Sequence, residues 1–244
     1  MLLFTGFYIP VFFVYPTPQK EYQVPKLLIK IKPLFNGLQL KLNDVYYTNL
    51  MGDSFIVKEF KFYISSLTFR KENNVKYVEP NSVHLFDAED SSTWSFYIPA
   101  IENGNYKFID MCIGLDSVTT TAGILDGDLD PSKGMYWAWN TGYTAAKLVG
   151  QSFRCNTLHH LFEFHIGGYL SPYNSLRKVT LLLSGMQVNN YKQNTIEMEV
   201  DINAWFNTPL TIDLTKTNSI LLPGKEAMMM ADNYADMLSI SVIK

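Results

Sequence analysis

The 244-residue chain is 47% hydrophobic and 18% charged, which supplies a sizeable apolar core and excludes a disordered chain. Its net charge of -3, with no stripe of Lys and Arg, gives no electrostatic case for nucleic acid as a partner. The 15 tyrosines and 16 phenylalanines, set among many Val, Ile and Thr, favour half-buried pleated surfaces.

Residues 1–24 read as an apolar N-terminal arm or a degraded export signal. The stretch from Met1 to Pro18 is hydrophobic but interrupted by three prolines. It has no positive n-region, lipobox cysteine or A-x-A cleavage site, and it is too broken for a good transmembrane helix, so an integral membrane protein is not expected.

From Tyr22 onward, strand-like segments alternate with Asn, Asp, Gly and Pro turns at short intervals. Gln39–Asn43 alternates with period two, and Phe55–Phe69 reads as a strand pair or one long bent strand. Val75–Val78, Val83–Asp87 and Tyr106–Leu115 follow, then Leu158–Ile166, Lys178–Leu183 and Thr195–Ile202. A helical turn is expected near Ile202–Phe206, and a short C-terminal helix within Gly224–Met237. No repeat or linker divides the chain. The expected fold class is therefore all-β: one antiparallel β-sandwich over residues 25–244, with long loops and at most one or two short helices.

Four histidines are available for chemistry: His84, His159, His160 and His165. Alternation places His165 on the strand face opposite Phe164 and Ile166, beside two glycines that allow close approach. His84 sits mid-strand between Val83 and Leu85. Two imidazoles on neighbouring strands can ligate copper or zinc, with Met or an aromatic group completing a soft, low-coordinate site. The competing reading is a pair of partly buried histidines bonded to carbonyls. His159–His160 reads as a surface pair at a loop edge.

Other groups carry weaker signals. The loop Asp126–Asp130 has oxygen ligands at alternate positions but lacks the later glutamate of an EF-hand, so a solvated turn is the expectation. Met228–Met230 reads as core packing. Cys112 and Cys155 read as two free thiols, one of them buried. The sequence contains no G-x-S-x-G elbow, H-E-x-x-H, P-loop or dinucleotide fingerprint, so no enzymatic activity is expected. The run Gly134–Tyr143, with Trp137 and Trp139 two residues apart, is the most distinctive aromatic segment. A sugar platform on those two rings is a third reading.

Several motifs carry a family resemblance. They include Tyr47-Thr48-Asn49 with Gly52-Asp53-Ser54-Phe55, Phe60–Leu67, Val83-His84-Leu85-Phe86-Asp87 and Ile113–Ser117. Leu129-Asp130-Pro131, Gly134–Trp139, Lys147–Gly150, Phe164-His165-Ile166-Gly167-Gly168 and Ala231–Met237 continue the series. In this order the chain resembles the MbnP-like family, the copper-binding periplasmic proteins associated with methanobactin, and especially its Bacteroidetes-type branch. The resemblance implies a β-rich domain that binds Cu(I) or Cu(II), is periplasmic, extracellular or outer-membrane-associated, and performs no catalysis. It makes His84 and His165 the candidate ligands, and it implies a dihaem partner able to oxidise a tryptophan: Trp94, Trp137 or Trp139. The alternative function is a cell-surface structural or interaction module of the same fold that has lost its metal.

Overall fold

Period-two alternation of aromatic and β-branched residues becomes strand along most of the chain. A computed structural model describes residues 27–137, 142–189 and 193–244. The N-terminal arm and Trp139 lie outside those residues. In chain order the strands are β1 (Leu27–Phe35), β2 (Leu38–Gln39), β3 (Tyr47–Thr48), β4 (Ser54–Lys71) and β5 (Lys76–Val78). Then come β6 (Val83–Asp87), β7 (Ser95–Ile98), β8 (Gly104–Ile113), β9 (Tyr136–Trp137) and β10 (Gly142–Gln151). The last are β11 (Leu161–Gly167), β12 (Arg177–Val188), β13 (Asn194–Asp201), β14 (Ser219–Ile220) and β15 (Leu238–Ile243).

Two mixed sheets pack as a sandwich. The smaller runs β15-β13-β1-β2, with β7 also paired to β1. The larger runs β12-β8-β4-β10-β11-β14, with β3, β5 and β6 on β4 and β9 on β10. Pairing is antiparallel except for β1 with β13 and β11 with β14, which run parallel.

The segment Phe55–Phe69 lies within one long strand, β4, rather than a hairpin. Its pairing with β8 slips between Ser65 and Thr68, where Ser66 takes a left-handed φ of 56°. Such a bulge bends a strand locally and lets it serve two neighbours in succession.

The core lies between the sheets. Phe60, Phe62 and Ile64 of β4, with Phe162, Phe164 and Ile166 of β11, meet Ile29, Ile31, Met198 and Val200 of the smaller sheet. A second cluster covers the opposite face of the larger sheet: Tyr63, Leu85, Leu115, Leu129, Met135 and Tyr143. Tyr63 donates to the Asp128 carbonyl at 3.0 Å, and Tyr143 donates to the Leu129 carbonyl at 2.8 Å. These bonds pin the loop after β8 over the sheet, so part of the larger sheet is buried on both faces.

Helix is sparse. The expected C-terminal helix is α3 (Lys225–Tyr234), and the turn near Ile202 is α2 (Ala204–Asn207). A further single turn, α1 (Ser117–Thr121), begins where the Asp116 carboxylate accepts the Thr119 N–H. Among the described residues, no helix is long and apolar enough to cross a membrane.

Candidate metal site

The strand β11 puts Phe162, Phe164 and Ile166 into the core and turns Glu163 and His165 to the other face. Lys147 of β10 pairs directly with His165. β9 brings Tyr136 and Trp137 over the same place, because it pairs with the start of β10 through Gly142 and Tyr143. Gly134, Tyr136, Trp137, Thr144, Lys147, Glu163, His165 and Leu221 line a cavity of about 330 Å³.

Within this cavity, Nε2 of His165 is buried and has no hydrogen-bond partner. A buried polar atom without a partner is uncommon and calls for an explanation. Burial, followed by the nearby Lys147 ammonium, lowers the imidazole pKa to about 4 against the pull of Glu59. The ring is therefore neutral at physiological pH, which is the form that ligates metal.

Behind the cavity, a ladder of charges crosses the sheet on the His165 face. Register aligns His165 with Lys147, Lys147 with Lys61, and Lys61 with Asp87. The Lys147 ammonium is 2.9 Å from the Glu59 carboxylate. Lys61 is 3.4 Å from Glu59 and 2.9 Å from Asp87. Burial works to lower the Lys61 pKa, but the Asp87 and Glu59 carboxylates outweigh it and hold it above the ordinary lysine value. Lys61 also donates to the Lys133 carbonyl at 3.3 Å, just before the segment that walls the cavity.

His84 stands apart: the structure does not bring His84 and His165 together. It pairs with Ile64, and Phe86 pairs with Phe62, so His84 belongs to the core-facing side of the sheet. His165 belongs to the Lys147–Lys61–Asp87 side. The β6 and β11 strands are also separated by β4 and β10, about 14 Å at ordinary strand spacing. The His84 imidazole donates from Nε2 to the buried Glu79 carboxylate at 2.9 Å. Its ring stacks on Phe96 of the smaller sheet, with centroids 3.6 Å apart and planes 10° apart. Those contacts satisfy it as a packing residue between the two sheets.

The remaining candidates fall into place around these two. His159 and His160 are exposed, as expected, and His160 Nδ1 is 3.0 Å from the Cys155 carbonyl. Asp128 accepts the Leu85 N–H at 3.0 Å and Asp130 accepts the Ser132 N–H at 2.8 Å, so two carboxylates of the Asp126–Asp130 loop serve the backbone. Cys112 and Cys155 are free thiols, and both are buried rather than one. Met230 is fully buried. Trp137 is buried as well, so it offers no exposed face for a sugar. Trp94 donates to the Asp87 carbonyl at 2.9 Å. Among the described residues no group of three or more His, Cys, Asp and Glu is arranged to hold a metal. What they offer is one neutral imidazole, with Glu163 beside it.

Sequence reasoning reached His165 but passed over Lys147, Glu59 and Lys61. A signal was available. Lys147 interrupts the apolar run Tyr143–Val149, and a charge inside such a run marks a strand face that is neither core nor open solvent.

The MbnP family model matches residues 24–229 of the chain. Among solved structures, the chain is similar to MbnP from Methylosinus trichosporium, with a TM-score of 0.56 and 10% identity. That match covers 78% of this chain and 79% of the other, and at such identity it shows the fold. No functionally curated protein matches the chain by sequence.

Proposed function

The chain belongs to the MbnP family, and from that premise we propose that it is an exported copper-handling protein. In this reading it holds copper at His165 without catalytic turnover, in the periplasm or at the outer membrane. The observation that carries the reading is the buried, unpartnered Nε2 of His165 in a cavity walled by Trp137 and Tyr136. An imidazole kept neutral has its lone pair free for a metal without first losing a proton. Imidazole is a donor that copper accepts, and Glu163 is the one carboxylate that lines the same cavity. When bound, copper would supply a soft Lewis-acid centre. The chain's own residues contribute the imidazole, the aromatic walls of the cavity, and the charge ladder beneath.

His84 has a separate role in this reading. Its bond to Glu79 and its stack on Phe96 join the two sheets, so it stabilises the fold rather than the ion. A dihaem partner acting on a tryptophan would find Trp137 at the wall of the His165 cavity. That association is part of the proposal and rests on the family.

Metal analysis after anaerobic Cu(I) loading and after Cu(II) loading tests the reading. Near-stoichiometric copper that is lost in His165→Ala and retained in His84→Ala supports it. No copper in either oxidation state sinks it, and leaves the family fold as a metal-free interaction module.

A further inference from the structure

Two hairpin tips meet at the end of the larger sheet where β4 starts and β10 ends. One joins β3 to β4 and carries Leu50 and Met51, 70% and 50% exposed. The other joins β10 to β11 and carries Phe153 and Leu158, 77% and 80% exposed. The tips are bonded to each other. Ser152 Oγ donates to the Ser54 carbonyl at 2.7 Å, and Arg154 Nε donates to the buried Asp53 carboxylate at 3.1 Å.

Hydrogen bonds hold both tips in shape. Asn49 Oδ1 accepts the Met51 and Asp53 N–H groups at 3.0 and 2.9 Å, which closes the first turn. In the second, the Ser152 N–H donates to the His160 carbonyl and the Gln151 amide to the His159 carbonyl, both at 2.9 Å. Cys155, between the two exposed apolar residues, is anchored in the main core. His159 and His160 each take a left-handed φ of 57°. Such backbone is costly outside glycine and persists only where its surroundings enforce it.

Area and charge decide what this end can meet. The four apolar side chains together present roughly 500 Å², which is large for a chance surface patch. A stable protein interface buries more, about 800 Å² on each partner. Within residues 49–53 and 152–160 the one acid is Asp53, which is answered by Arg154 and by the Leu214 N–H. Arg154 is 60% exposed and bonds Asp53 through Nε, and no bond holds its terminal nitrogens among the described residues. Apolar tips beside a guanidinium match the boundary of a bilayer, where acyl chains lie just below phosphates.

We propose that these two tips dock the protein peripherally on a phospholipid bilayer. Phe153, Leu158 and Leu50 enter below the headgroups, and Arg154 pairs with the phosphates. The proposal is independent of the copper reading, since none of these residues lines the His165 cavity.

The test is flotation of the metal-free full chain with vesicles of phosphatidylethanolamine and phosphatidylglycerol. The wild type is expected to float with the vesicles, and Phe153→Ser to weaken its partitioning by about tenfold. The double variant Phe153→Ser, Leu158→Ser should stay with the unbound fraction, and added salt should weaken wild-type binding severalfold. Val118→Ser is the control. Val118 is 76% exposed but sits in α1, where Thr120 lies against Gly142 at the far end of β10. Its loss should leave flotation unchanged. Because all these positions are exposed, the variants should fold, which near-UV circular dichroism checks. Phe153→Trp gives a reading that needs no loss of binding: lipids brominated on the acyl chain should quench its added emission. A wild type that does not float, a double variant that still floats, or a Phe153→Trp emission untouched by the bromines overturns the proposal. So does a Val118→Ser variant that binds as weakly as Phe153→Ser. Binding that ignores salt overturns the part given to Arg154. A dimer in sedimentation velocity that the double variant dissolves, without flotation, overturns it in favour of a second copy of the chain.

Discussion

Gly167 and Trp137 touch across the face of the larger sheet: a Cβ built on Gly167 would stand 2.6 Å from Cζ3 of the indole. Glycine is needed here for the space it leaves, since β11 is ordinary strand at this residue. The indole then closes the cavity in which His165 sits, two residues back along the strand. Gly167→Ala must push Trp137 outward, because the contact is with a rigid ring rather than a flexible chain end. The expected cost is about 1–3 kcal/mol of stability, read by urea denaturation. Weaker copper retention is expected alongside it. An alanine variant with wild-type stability would mean that the indole is not held against this strand.

His84 and Glu79 form a buried polar pair whose removal is expected to be one-sided. His84→Ala leaves the Glu79 carboxylate, only 4% exposed, without its imidazole partner. An unpartnered buried polar group costs about 1–3 kcal/mol, and more if it stays charged. Adding Glu79→Gln to that variant should recover part of the loss, and a double-mutant cycle reads the coupling. Copper bound per chain should stay unchanged throughout. Copper loss in His84→Ala without loss of stability would return His84 to the metal site.

The motif Ala231–Met237, one carrier of the family resemblance, has a structural meaning at Asn233. This fully buried amide donates to the Trp205 carbonyl at 2.8 Å and to the Leu210 carbonyl at 2.6 Å. Its oxygen accepts the Leu210 N–H at 2.8 Å. One side chain thus serves three backbone groups and ties α3 to the segment after β13. Asn233→Leu keeps the volume but leaves those groups without partners, so a loss of about 3 kcal/mol or more is expected. The thermal midpoint of the metal-free protein checks it, and a leucine variant that melts with the wild type contradicts it.

How much of this was legible in the sequence depended on whether a sheet face was labelled by polarity. β4 announces itself through the alternation around Phe60-Lys61-Phe62, and α3 through the unbroken helix formers after Gly224. His165 is legible for the same reason: Phe164 and Ile166 mark the core side, and Glu163 marks the other. His84 was not, because both faces of β6 are apolar. Phe86 packs in the main core while Leu85 packs with Tyr63 beneath the covering loop. Where a sheet is buried on both sides, period-two alternation no longer says which way a residue points. The ladder of Asp87, Lys61, Glu59 and Lys147 was hidden differently, since it is assembled by the registers of three strands distant in sequence.

The depressed pKa of His165 makes a signed prediction about the metal-free protein. In the unfolded chain this imidazole takes up its proton near pH 6.5, whereas in the folded protein it does so only at about pH 4. Between those values the unfolded state binds more protons, so stability rises with pH across that window and falls as the solution is acidified through it. Above pH 6.5 the ring is neutral in both states and contributes no dependence. The full difference corresponds to about 3 kcal/mol, and because the ring is only half-buried the expected effect is nearer about 2 kcal/mol. His165→Gln removes the titrating group while keeping a polar side chain in the cavity. Urea denaturation at pH 7, 5.5 and 4.5 should show the wild type losing about 2 kcal/mol more than the variant over that range. Parallel pH profiles for the two proteins would mean that the imidazole is solvated in the folded state. The cavity around it would then be wetter than the contact of Trp137 with Gly167 requires.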